Sequence, residues 1–149
     1  MKAVTIVVER AVVYSEISKA TDYTGSKLLS SDVDARDRIY AVDADIEEMG
    51  RFWDEAVTTV NAFLGDVVLT SENSAERYVA TIEVSSCYEQ ELNSSVEAAI
   101  RSYFVLTMLS KWFDYVNKGD VEHYATMASE RLLTAGRLLS CRRRPVVPS

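Results

Sequence analysis

Between residues 46 and 63 the apolar side chains Ile46, Met49, Trp53, Ala56, Val60 and Phe63 recur at steps of three and four. That period winds them into one stripe along an α-helix; a strand, whose side chains alternate every second residue, would scatter them over both faces. A second stripe repeats the pattern at Val121, Tyr124, Ala125, Ala128, Leu132, Ala135 and Leu139. A helix with an apolar stripe must bury it against another element, so two stripes commit the chain to helix packing. Between them the segment SYFVLTMLSKWF, residues 102–113, is apolar nearly all round. It predicts a long helix from about Gln90 to Asn117, buried on several sides.

The punctuation around these segments is consistent with that reading. Glu47 and Glu48 suit the positive end of the helix dipole, Asp43 or Asp45 is placed to cap it, and Gly65 to end it. Gly50, inside the same helix, is expected to mark a close crossing. Lys118-Gly119-Asp120 stops one helix and starts the next, and helices joined so tightly lie antiparallel. An earlier helix is expected from about Glu9 to Thr21, with Val13, Ile17 and Ala20 on one face and a turn at Asp22-Tyr23-Thr24-Gly25. Residues 26–42 mix Ser, Asp and Arg without period and read as a loop.

Two β-rich runs, Val67–Thr70 and Tyr78–Val84, flank the polar SENSAER and predict a hairpin; Ala3–Glu9 reads as a short strand or an extended arm. A lone hairpin is marginal in water, so this one must lie on the helices or pair with a neighbour. The expected fold class is mainly α (α+β): a bundle of about four helices with an inserted β-hairpin near 67–84. It forms one domain over residues 1–141, followed by an extended basic tail over 142–149. A length of 149 residues fits one core, and five glycines with two prolines are too few for the turns of a sandwich or barrel.

The residues that carry chemistry are sparse. No two glycines lie within ten positions, so there is no phosphate-cradling loop. His123 is the one histidine, on a polar flank of the last helix. Asp43, Asp45, Glu47 and Glu48 cluster, as do Glu89 and Glu91, but acids gather at helix starts for dipole reasons alone. Metal binding or acid–base work there is the weaker reading, and neither a metal nor a cofactor is expected. Cys87 and Cys141 stand 54 positions apart and read as reduced thiols rather than a disulfide framework or a zinc site. The N-terminal MKAVTIVVER is too short for a signal-peptide core or a membrane span, so the chain is expected to stay where it is made.

Charge is unevenly spread. The net −7 divides into +5 over residues 131–149 and −12 over residues 1–130. An acidic body repels DNA at a distance, while the cationic end attracts anionic partners. The tail RRRPVVP offers three guanidiniums for carboxylates or phosphates, then a proline-bounded apolar pair suited to a groove. Arg142, Arg143, Arg144, Val146 and Val147 are therefore the expected partner contacts. Of the fourteen aromatics, those at helical spacing are expected in the core and the remainder at a subunit interface.

Three stretches carry a resemblance: TDYTGSK (21–27), RFWDEA (51–56) and SKWFDYVNKGDVEHYATMASERLLTAGRLLSCRRRP (110–145). With the order of elements, they resemble small structural proteins of tailed-phage and prophage virion gene clusters, and the layout is similar to head–tail connector (adaptor) proteins. The resemblance implies a virion subunit, assembled in the host cytoplasm, that forms a homo-oligomeric ring and meets portal or tail components. In such proteins the C-terminal segment commonly reaches into a neighbouring ring, a role that Arg142–Ser149 matches by placement. DNA would pass the ring without sequence-specific binding, and no membrane is involved. The alternative reading is a cytosolic helical protein-binding or regulatory module. An enzyme using the Asp43–Glu48 carboxylates ranks behind both.

Overall fold

The computed structural model describes residues 2–28, 46–116 and 121–140; residues 22–28, 46, 115 and 116 are described by backbone alone. In chain order the elements are β1 (Lys2–Glu9), α1 (Arg10–Leu28), α2 (Ile46–Leu64), β2 (Val68–Asn73), β3 (Arg77–Val84), α3 (Asn93–Val116) and α4 (Val121–Leu139). Short 3-10 turns, Gly65–Val67 and Gln90–Leu92, lead into β2 and α3. The mainly helical α+β architecture matches expectation, with four helices and the hairpin in place.

The hairpin is not alone. The N-terminal run is a full strand that pairs antiparallel with β3, giving a three-stranded sheet in the order β1-β3-β2. Register places Val4 opposite Ile82, Ile6 opposite Ala80 and Val8 opposite Tyr78, all buried, so one face of the sheet is continuous core. On the other face Thr5 and Thr81 lie opposite, their hydroxyls 3.3 Å apart. The β1 backbone is also tied to a helix: Val7 N–H donates to Glu97 Oε1 of α3 at 3.0 Å. β2 is the other edge, and its residues 69–73 are exposed.

α1 runs through the expected turn at 22–25 and ends at Leu28. Among the described residues the one glycine with positive φ is Gly65, at +61°, so Gly25 continues the helix instead of terminating it. Gly65 does close α2, as its position suggested. Residues 29–45, including the expected cap at Asp43 or Asp45, lie outside the described residues.

The core gathers around α3. Its Val96, Ile100, Phe104, Met108 and Phe113 are fully buried, in keeping with a segment apolar on all sides. Phe104 is the meeting point, with ring centres 4.6 Å from Trp53 of α2 and 5.8 Å from Tyr78 of β3. α4 lies along α3 in the opposite direction. At one end Phe113 stacks on Tyr124 at 5.2 Å and Ser110 Oγ donates to the Val121 carbonyl at 3.1 Å. At the other end Leu138 shares a recess with Tyr88 and Leu92, just before α3. The α4 stripe buries Ala128, Leu132 and Ala135, with Val121, Tyr124 and Leu139 partly covered; Ala125 is exposed.

The close crossing is at Gly136 rather than Gly50. A Cβ on Gly50 would meet its nearest neighbour, Arg10 Nη1, at an ordinary 4.0 Å, whereas on Gly136 it would stand 2.8 Å from Cζ of Phe63. The Phe63 ring thus lies over the bare backbone of α4, and a side chain at 136 would displace the ring.

Candidate functional site

Phe63 belongs to the α2 stripe by spacing, yet it is 40% exposed. The last turn of α2 overhangs the core, so the stripe continues onto the surface. Val67 in the following 3-10 turn is 41% exposed, Leu69 52% and Leu133 of α4 51%. These side chains are neighbours: Phe63 shares one concavity with Leu133 and another with Val67. Leu69 follows two positions on, where the β2 register shifts between Val68 and Thr70. A bulge of this kind re-aims the side chain that it carries. Phe63, Val67 and Leu133 thus form an exposed apolar strip, and Leu69 adds an exposed apolar side chain on β2, an edge strand among the described residues; strips of this kind mark contact surfaces.

Behind the strip lies a groove of about 380 Å³. Its apolar walls are Phe63, Leu64, Val67, Ile82, Val84 and Leu139, and Glu83, Ser85 and Ser140 stand on its rim. The floor is rigid because Ile82 and Val84 are core residues of the central strand. Next to it is a smaller recess lined by Cys87, Tyr88, Glu89, Leu92, Arg137 and Leu138, with Ser140 again on the boundary. Tyr88 anchors that wall by donating its hydroxyl hydrogen to Asn93 Oδ1 at 2.7 Å, and burial raises its pKa. Arg137, in the last turn of α4, is the cation on the wall of this recess, beside Glu89.

The expected contact residues Arg142, Arg143, Arg144, Val146 and Val147 lie outside the described residues. The described chain ends at Ser140, on the lip of the groove. Reduced cysteines were expected, and here the structure corrects the sequence: Cys87 is disulfide-bonded, and no described cysteine is free. Cys141, the other cysteine in the sequence, lies outside the described residues. Fifty-four positions of spacing hide any proximity, because the fold brings Cys87 beside the end of α4.

A second polar cluster lies at the opposite end of the sheet. Asn73, at the end of β2, accepts the indole N–H of fully buried Trp53 at 2.8 Å and donates to Asp54 Oδ1 at 2.8 Å. Arg10 lies over the Trp53 ring at 4.9 Å and donates to the Ser74 carbonyl at 3.1 Å. Tyr14 packs edge-on to the same indole, and burial raises its pKa against the opposing pull of Arg10. This network fastens the hairpin turn to α1 and α2. His123 is exposed at the start of α4, with its ring against Tyr124. Among the described residues no group of three His, Cys, Asp or Glu side chains is placed to hold a metal, and no helix is long and apolar enough to cross a membrane. In comparison with protein-family models, curated proteins and solved structures, nothing matches the chain.

Leu69 and Leu133 were not singled out by sequence. Leu133 sits one position off the α4 stripe and Leu69 falls at a bulge, so each reads as a stray apolar residue. Their signal was the mismatch with the local period.

Proposed function

We propose that this chain is a structural subunit that works by assembly, without a catalytic role, as a head–tail connector or tail-completion ring protein of a tailed-phage virion. The observation that carries the reading is the set of exposed apolar side chains Phe63, Val67, Leu69 and Leu133, the third of them on β2, which is an edge strand among the described residues. A solitary globular protein gains nothing by leaving such a strip next to unpaired backbone, whereas a second subunit that covers it gains burial and completes the sheet. The virion setting rests on the resemblance of the sequence. In that setting the acidic body keeps passing DNA from sticking to the wall, and Arg142, Arg143 and Arg144 grip acidic groups of a neighbouring ring while Val146 and Val147 fill an apolar recess.

Sedimentation velocity across a wide concentration range tests this at about 0.15 M ionic strength, where a Debye length of about 8 Å screens repulsion between acidic bodies. The full chain is expected to pass from monomer to one closed multiple. Leu69→Asp and Leu133→Asp, at exposed positions, are expected to stay monomeric with unchanged helical circular dichroism. A full chain that remains monomeric throughout contradicts the proposal and favours the protein-binding module.

A further inference from the structure

We propose that Glu97 guards one edge of the sheet: its carboxylate occupies the Val7 N–H and so prevents a second copy of this chain from adding its own β1 to β1. This goes beyond the assembly reading and stands whether or not the native chain forms a ring. The stretch Ala3–Val8 of β1, AVTIVV, carries no charge, proline or glycine, and five of its side chains in succession are β-branched. On an exposed edge, a segment of that composition is a template for pairing with the identical segment of another chain. The opposite edge is a poorer template. β2 is shorter, with a register shift between Val68 and Thr70 and the acidic Glu72, and features of this kind blunt an edge unaided. The hazard therefore lies at β1, which among the described residues pairs with β3 on one side alone.

In an antiparallel ladder, alternate residues turn their N–H and C=O toward the partner strand, and the residues between them turn theirs away. Just past β1 the Arg10 N–H donates to the Glu76 carbonyl at 2.9 Å, in the register that pairs β1 with β3. By that alternation Val4, Ile6 and Val8 bond to β3, while Ala3, Thr5, Val7 and Glu9 present their backbone outward. The Val7 N–H agrees, because it reaches Glu97 Oε1 of α3 at 3.0 Å. Two β1 strands paired antiparallel about a two-fold axis at Thr5 would set Ala3 of one copy against Val7 of the other and call on that N–H. With Glu97 in place the donor is taken, and an incoming carbonyl oxygen would meet a carboxylate. Glu97 is half-buried, and its neighbours Val96 and Ile100 are core residues, so α3 holds the carboxylate at the strand. At the start of β1, Lys2 Nζ donates to the Tyr88 carbonyl at 3.3 Å and fastens the strand to the segment that leads into α3.

Sedimentation velocity in the Leu69→Asp background tests this, because that substitution takes the β2 surface out of the count. Adding Glu97→Ala is expected to introduce a concentration-dependent dimerisation step absent from the background. Glu97→Gln loses the same charge but keeps an acceptor oxygen, and is expected to introduce none. Glu97→Asp keeps the charge but falls one methylene short of Val7; it is expected to dimerise, and it decides the matter if the alanine variant loses its helical circular dichroism. Below the onset of association, amide hydrogen exchange at Val7 is expected to quicken about tenfold or more in the Ala and Asp variants, and to slow again in their dimers. Dimerisation of the Gln variant as strong as that of the Ala variant would assign the effect to charge and overturn the proposal. Folded Ala and Asp variants that add no association step overturn it as well. A native chain that stays monomeric contradicts the ring but leaves these outcomes distinct.

Discussion

Asn73→Ala is the most informative single perturbation of the fold, because one amide serves three partners of different value. Its oxygen accepts the Trp53 indole N–H at 2.8 Å, its nitrogen donates to Asp54 at 2.8 Å, and Arg10 Nη2 stands 3.5 Å from the same oxygen. The Asp54 leg lies at the surface and contributes a few tenths of a kcal/mol at most, and a 3.5 Å contact contributes less. The Trp53 leg decides the outcome. That indole is fully buried, and leaving a buried donor unpaired costs about 1–3 kcal/mol. Asn73 itself is exposed, so water can follow the deleted amide inward, which places the expectation at about 1–2 kcal/mol. For a chain of this length that is a fall of about 3–6 °C in Tm. Urea unfolding followed by circular dichroism measures it, and Trp53→Phe supplies the control. Without the indole N–H, Asn73→Ala is expected to cost about 1 kcal/mol less than in the native background. Equal costs in both backgrounds would refute the assignment of Asn73 as the partner that keeps Trp53 satisfied.

Other expectations follow from the same packing. Phe104→Ala empties the meeting point of α2, α3 and the sheet and is expected to cost about 3–5 kcal/mol in chemical denaturation. Burial pushes the Tyr78 phenol up to about 12 from its ordinary 10.0. The fold therefore favours the neutral form: stability is constant below pH 10 and falls as pH rises from 10 to 12, by about 2–3 kcal/mol in all. Tyr78→Phe, which also loses the 2.5 Å bond to Asn61, is expected to reduce that alkaline loss in a pH series of unfolding midpoints; Tyr14 and Tyr88, raised in the same direction, retain part of it. Gly136→Ala is expected to leave stability unchanged or raise it by less than about 1 kcal/mol, since helix propensity improves and the half-exposed Phe63 ring can swing aside. The same variant is expected to move the Phe63 ring resonances. Cys87→Ser, or reductant added to the native chain, is expected to lower stability by about 2–4 kcal/mol, and an unchanged urea midpoint would contradict a stabilising disulfide.

What the sequence made legible was local periodicity. Met49, Trp53, Ala56 and Val60 are all buried as their spacing implies, and the all-round apolar centre of α3 is indeed enclosed. Features that depend on residues far apart were not legible. Lys2–Glu9 was equally a strand or an arm until β3, some 75 positions later, supplied its partner. The helix through Gly25 was misjudged because a glycine stops a helix only where the backbone turns left-handed, as at Gly65. The candidate surface draws on positions 63, 67, 69 and 133, each unremarkable in its own window. Only the packing of α4 across the end of α2 brings them together. The bond at Cys87 was hidden for the same reason.

Imaging tests the central claim most directly: electron microscopy of the concentrated full chain, with class averages resolving how its copies meet. The account expects a closed ring in which Leu69, Leu133 and the outer edge of β2 are covered at each subunit seam. Fields of single-chain particles, or rings whose seams leave that strip facing solvent, would contradict it.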